Sequence, residues 1–156
     1  MKIWKRIRPD HIFLNVSMRD KDMVIRFVAD VFYRAGIIQD AGGFYNALML
    51  REKTMSTGVG DGIGIPHAAS PEAQDVGVLL MRLAEPIDFD ALDDLPVDII
   101  LAMVLPENQT TLHLQILAAA SRIFQNPEFF SAVRQAVEPN ELFEEIKRLE
   151  GQISFH

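Results

Sequence analysis

Apolar residues along this chain follow two different periods. Ile12 to Val16 reads as a short strand. From there to about Arg34, Val24, Phe27, Val28 and Val31 fall on one side of a helix. Ser17 and Asp20 stand at capping-box spacing before that helix. A second helix is expected to begin near Asp40 and to carry Phe44, Ala47, Leu48 and Leu50 up to Arg51. Asp75 to Leu83 is a strand rich in Val and Leu, and Pro86 to Asp94 is turn-like. Val97 to Leu105 is apolar apart from Asp98, which suits a strand covered on both faces. A helix follows from about Gln109 to Phe124. Asn126-Pro127 caps and opens another, and Pro139 opens a last one ending near Gly151. Helices fall before, between and after the strands. The expected fold is therefore α/β (α+β), one domain over 1–156, with a mixed sheet flanked by helices on both faces.

Between the second helix and the second strand lies a segment with neither period, Gly58-Val59-Gly60-Asp61-Gly62-Ile63-Gly64-Ile65-Pro66-His67. Alternating glycines let backbone amides approach an anion. Pro66 restricts the residue before it, and His67 supplies a nucleophile that is largely neutral near pH 7. The pattern suggests a loop presenting an imidazole for phosphoryl chemistry, with Gly60, Asp61, Gly62 and Gly64 as its phosphate-binding backbone. It is not a nucleotide motif. No Gly-Lys pair completes a phosphate loop, and Ile63 stands where a dinucleotide fingerprint needs its third glycine.

Composition narrows the chemistry further. The sequence has 156 residues, 49% apolar and 24% charged, with a formal net charge of −7. That balance disfavours nucleic-acid binding, which needs basic surface. With no cysteine, disulfides, thiolate metal sites and cysteine nucleophiles are excluded. No apolar run is long enough to span a bilayer and no signal-peptide core is present, so a cytoplasmic location without membrane insertion is expected. Serine hydrolase chemistry lacks its G-x-S-x-G element. A metal site built on His67 and His113 lacks the close histidine spacing that would favour it, so no metal is expected.

Two further residues carry alternative readings. His113 belongs to the first turn of its helix and shares a face with Ile116 and Leu117. It is either a core-edge histidine bonded to backbone or a second imidazole offered to a phosphoryl oxygen at a helix start. Arg51 is either a C-terminal cation complementing the helix dipole or a forked donor for phosphoryl oxygens or loop backbone. Asp61 reads as a turn residue, with orientation of a histidine as its alternative. His11 and the terminal His156 receive no role.

The stretch Arg51 to Ala68, with Ser56-Thr57-Gly58-Val59-Gly60-Asp61-Gly62-Ile63-Gly64-Ile65-Pro66-His67-Ala68, resembles the active-site segment of type-2 enzyme IIA domains. These belong to the bacterial phosphoenolpyruvate-dependent phosphotransferase system, in its fructose, mannitol and nitrogen-regulatory branches. The likeness continues through Pro86 to Asp90, Pro96-Val97-Asp98, Leu105-Pro106 and Thr111 to Leu114, and covers about residues 10–150. It implies a mixed sheet flanked by helices, and a phosphohistidine carrier. His67 would take the phosphoryl group through Nε2, His113 would stabilise it, and Arg51 would serve as the nearby cation. Gly64 stands where many members have alanine, which implies a more flexible loop. The implied donor is HPr or its nitrogen-branch relative, with no cofactor. The implied recipients are a separate IIB domain or regulatory target proteins. The lack of a cysteine and of a membrane span means IIB and IIC parts would be separate chains, which favours the nitrogen-regulatory type over a fructose-specific component. A regulatory binding module without transfer is a third reading.

Overall fold

The computed structural model describes residues 1–152, so His156 lies outside the described residues. Six strands form one sheet: β1 (Ile7–Val16), β2 (Gly58–Gly60), β3 (Ile63–Gly64), β4 (His67–Ser70), β5 (Gly77–Ile87) and β6 (Val97–Pro106). The strand order is β1-β5-β6-β3-β2, with β4 also paired to β6. β1 runs parallel to β5, β5 antiparallel to β6, and both β3 and β4 parallel to β6. The mixed sheet expected from the sequence is present.

Helices cover both faces. β6 alternates between them, as a strand buried on two sides must. Ile99, Leu101, Met103 and Leu105 pack with α3 (Thr110–Phe124), α4 (Pro127–Gln135) and α5 (Pro139–Gln152). Ile100, Ala102 and Val104 pack with α1 (Lys21–Arg34) and α2 (Ala41–Thr54). Each residue from Val97 to Pro106 except Asp98 is buried. The Asp98 carboxylate instead accepts a hydrogen bond from Arg134 of α4 at 2.5 Å.

Several boundaries differ from the sequence expectation, each for a local reason. β1 starts at Ile7 rather than Ile12, so His11 sits inside the strand, buried edge-on to Phe32. Pro9 obscured this half, yet proline is tolerated because β1 is an edge strand. β5 continues to Ile87, past Pro86, and its register with β6 shifts between Arg82 and Ile87 to absorb the proline. Asp20, not Ser17, caps α1, accepting from the Met23 amide at 2.9 Å. α2 runs one turn beyond Arg51, to Thr54, and leaves Leu50 68% exposed.

The glycine segment departs furthest from expectation. It is a broken edge strand rather than a free loop. Ile63 and Gly64 pair with Ile99 and Ile100; His67 to Ser70 then pair with Met103 to Pro106 on the same side of β6. Pro66, with no N–H, interrupts the ladder, while its carbonyl accepts from the Met103 amide at 3.0 Å.

Candidate functional site

His67 opens β4, half-buried, at a point fixed by the parallel register with β6. Its Nδ1 lies 2.6 Å from the Ile65 carbonyl oxygen. A carbonyl only accepts, so Nδ1 carries the proton and Nε2 holds the free lone pair. Burial pushes the His67 pKa below its ordinary 6.5, against the raising effect of the Ile65 carbonyl. The Arg51 and His113 charges push the same way as burial, and Glu52 opposes them. The ring is thus held neutral and in one tautomer.

His113 lies in the first turn of α3, where β6 has just ended. Its Nε2 donates to the Pro106 carbonyl at 2.5 Å. Both histidines therefore hang from one buried strand, one paired beside Met103 and the other bonded to Pro106. His113 takes up the first of its two sequence readings. It borders the core, with Ile116 buried one turn on, and bonds backbone through one nitrogen; its charge also acts on His67.

Arg51 belongs to the last two turns of α2, and its Nη1 donates to the Met55 carbonyl at 2.8 Å. That contact bridges the helix end to the start of the glycine segment and uses one of the five guanidinium donors. Its charge also reaches His67.

The remaining expected positions lie apart. Asp61 is exposed, with φ 58°, between Gly60 at 110° and Gly62 at 81°. Its amide donates to Asp93 at 3.0 Å. This turn adjoins Ile63, which pairs with Ile99, whereas His67 pairs with Met103. Four residues of β6 separate the two levels, about 13 Å. The structure does not bring Gly60, Asp61 and Gly62 together with the imidazole; their neighbours are Asp93, Asp98 and Arg134. Gly64 is buried in β3, where an added Cβ would sit 3.1 Å from the Phe89 ring and 3.3 Å from Ile100. Its missing side chain makes room for Phe89, so at this position glycine serves space.

The sequence reading missed Glu52. Its side chain is 3% exposed and forms an ion pair at 2.8 Å with Lys21 Nζ. It also accepts from the Thr57 amide at 3.0 Å and from the Thr57 hydroxyl. A charge at a core position of an apolar helix was the available signal, because buried carboxylates need partners. The acids of the turn-like Pro86–Asp94 region build those turns. Asp88 accepts from the Asp90 amide and Asp93 from those of Asp61 and Leu95.

Among the described residues no group of three or more His, Asp or Glu side chains is placed to hold a metal, and no helix is long and apolar enough to cross a membrane.

Comparison with known proteins places the chain among relatives. The profile described as "Phosphoenolpyruvate-dependent sugar phosphotransferase system, EIIA 2" matches residues 6–149. The chain is 31% identical over 138 residues to a nitrogen regulatory protein of Pseudomonas aeruginosa, covering 88% of this chain and 90% of that one. It is 42% identical over 102 residues to a fructose-specific EIIA component of Haloferax volcanii, covering 65% of this chain and 66% of that one. The crystal structure of nitrogen regulatory protein IIA-Ntr from Neisseria meningitidis superposes with a TM-score of 0.85 at 26% identity. That match covers 92% of this chain and 98% of the other.

Proposed function

The chain belongs to the EIIA 2 family of the phosphoenolpyruvate-dependent sugar phosphotransferase system, and from that premise we propose that it is a phosphohistidine carrier phosphorylated on His67 Nε2. The observation that carries this reading is the Nδ1–H···O=C bond to Ile65 at 2.6 Å, which leaves Nε2 as the nucleophile on a half-buried, neutral ring.

The donor is a phosphohistidine on a small HPr-type carrier. The Nε2 lone pair forms the new N–P bond as the donor's N–P bond breaks. Nδ1 keeps its proton, so positive charge develops on the His67 ring as the bond forms. The Ile65 carbonyl stabilises that charge more strongly than it does the neutral ring, an interaction that grows toward the transition state. Such a transfer depends mainly on positioning and charge stabilisation. His113 donates its Nε2–H to Pro106, so only its imidazolium form has a second N–H, on Nδ1, for a phosphoryl oxygen. Arg51 supplies a permanent cation. No nucleotide or metal takes part, and both partners meet in the cytoplasm.

An exposed apolar rim suits docking of a carrier. Leu50, Met55, Val59 and Leu92 surround the segment between α2 and the glycine turn, each at least half exposed. The nitrogen-regulatory reading is favoured because the likeness to the Pseudomonas and Neisseria proteins spans nearly the full chains. The sequence also has no cysteine to pass a phosphoryl group onward. In this reading the phosphoryl group changes the charge of the rim and with it the binding of regulatory targets. A fructose-type component feeding a separate IIB is the second reading, supported by the Haloferax match.

Incubation with phosphoenolpyruvate, enzyme I and HPr is expected to add one acid-labile phosphoryl mass to wild type and none to His67→Ala. An unmodified wild type, or a modified His67→Ala, refutes the proposal. Transfer onward to an added IIB would select the second reading.

A further inference from the structure

An ion pair and three hydrogen-bonded steps lead from α1 to the reactive ring. Lys21 of α1, its side chain 14% exposed, pairs with Glu52 at 2.8 Å. Lys21 also donates to the Phe89 carbonyl at 3.1 Å and lies 4.7 Å from the centroid of the Phe89 ring, which fixes the ammonium from two further sides. Glu52 accepts from both donors of Thr57, amide and hydroxyl. The Thr57 carbonyl accepts from the Ile65 amide at 2.9 Å. The Ile65 carbonyl accepts from His67 Nδ1 at 2.6 Å. Thr57 and Ile65 each use both their backbone N–H and their C=O in this series, so the hydrogen bonds run in one direction toward the imidazole.

We propose that Glu52 is a positioning residue for phosphoryl transfer: by holding both donors of Thr57 it fixes the Ile65 carbonyl and thereby the Nδ1–H tautomer of His67. The inference rests on the phosphohistidine reading but concerns a residue that never touches the phosphoryl group. The local chemistry calls for such a device. Pro66 leaves the Ile65–Pro66 peptide without an N–H for the ladder with β6, so the Ile65 carbonyl takes its position from the neighbouring Ile65 amide, which is bonded to Thr57. A carboxylate is the one side chain that accepts two hydrogen bonds from Thr57 and an ion pair from Lys21 at once. Glutamine in its place keeps the shape, but its NH₂ group must face one of three donors.

The tautomer is read directly from the ¹⁵N shifts of the His67 ring at a pH above its titration, and this requires no phosphotransfer partner. In wild type the Nδ1–H form is expected to dominate. In Glu52→Gln the Nε2–H form gains population, and the rate of phosphoryl acceptance falls at least ~10-fold, the lower end of the scale for outer partners that orient an imidazole. Thr57→Val removes only the hydroxyl donor and keeps the β-branched shape, so it gives a smaller change of the same sign. It decides the matter if Glu52→Gln does not fold. A folded Glu52→Gln with the wild-type tautomer ratio and rate overturns the inference, as does a Thr57→Val indistinguishable from wild type when the first variant is unfolded. A slower Glu52→Gln with an unchanged tautomer ratio also overturns it, because the defect then lies elsewhere. If wild type accepts no phosphoryl group, the functional reading fails while the ring measurement still tests the structural link.

Discussion

The two ends of the glycine segment are built on opposite principles. At the Asp61–Gly62 end the backbone is left-handed over three consecutive residues, exposed at Asp61, and tied down by a surface carboxylate, Asp93. At the His67 end it is extended and paired in register with a strand buried at every residue but Asp98; α2 packs alongside and reaches back to the segment through Glu52. The first arrangement needs glycine for conformation, and the second needs it for space. A run of glycines that looks uniform in sequence thus divides into a turn that shapes the chain and a strand that aims a side chain. The proposed function assigns the chemistry to the second.

The sharpest way to break this division is at the histidines. His113→Ala is expected to reduce phosphoryl acceptance by about 10²–10³-fold, the usual cost of losing one preorganised donor to a developing anion, with His67 still the modified residue. Stopped-flow or quench kinetics with the phosphorylated carrier measures it, and an unchanged rate would remove His113 from the reaction.

Acidity gives the next largest effect. Burial holds the His67 pKa below 6.5, so the ring stays an unprotonated nucleophile as pH falls through 6.5, where an ordinary imidazole loses half its reactivity. Loss of the His67 nucleophile by protonation should therefore appear only below that pH. Linkage gives the matching sign for stability. Below 6.5 the unfolded histidine takes up a proton that the folded one refuses, so stability present above 6.5 is lost as pH falls toward the folded pKa. His11, also held low by burial, adds to the same trend. Urea titrations should show a shallower acid slope for His67→Ala than for wild type, and parallel slopes would contradict the burial effect.

Two glycine replacements then separate space from conformation. Gly64→Ala pushes a methyl toward Phe89 and Ile100 and should cost ~1–3 kcal/mol, the scale of an overpacked core. It should also slow phosphoryl acceptance, because β3 leads into His67. Gly62→Ala faces a φ of 81° and a carboxylate oxygen at 3.0 Å, and should cost about 1–2 kcal/mol with no change in rate. Thermal melts paired with the mass assay compare them; a rate defect in Gly62→Ala alone would reverse the assignment. The smallest effect is expected for Asp61→Gly, within about 0.5 kcal/mol of wild type and fully active.

Most of the architecture was legible because it depends on periodicity. The unbroken apolar run of Val97 to Leu105 predicted a strand buried on both faces, and β6 is that strand. Asn126 and Pro127 marked the start of α4 as capping chemistry requires. His67 and Arg51 could be singled out because their residue types are rare in that setting. What the sequence concealed depends on contacts between distant segments. The pairing of residues 63–70 with β6 carries almost no pattern of its own, since glycine and alanine say little about strand faces. The separation of Asp61 from His67 follows from that pairing. Glu52 stands out from other helix carboxylates only once Lys21 of α1 and Thr57, five residues on, are seen around it.

One feature sets how far this centre can drift over evolutionary time. Strand pairing admits only whole-residue steps, and a single step along Val97–Pro106 would turn the first ring to the opposite side of the sheet. Gradual widening or narrowing of the gap between the two rings is therefore barred. The spacing of the two rings is set in whole-residue steps of pairing, whatever the surrounding rim becomes.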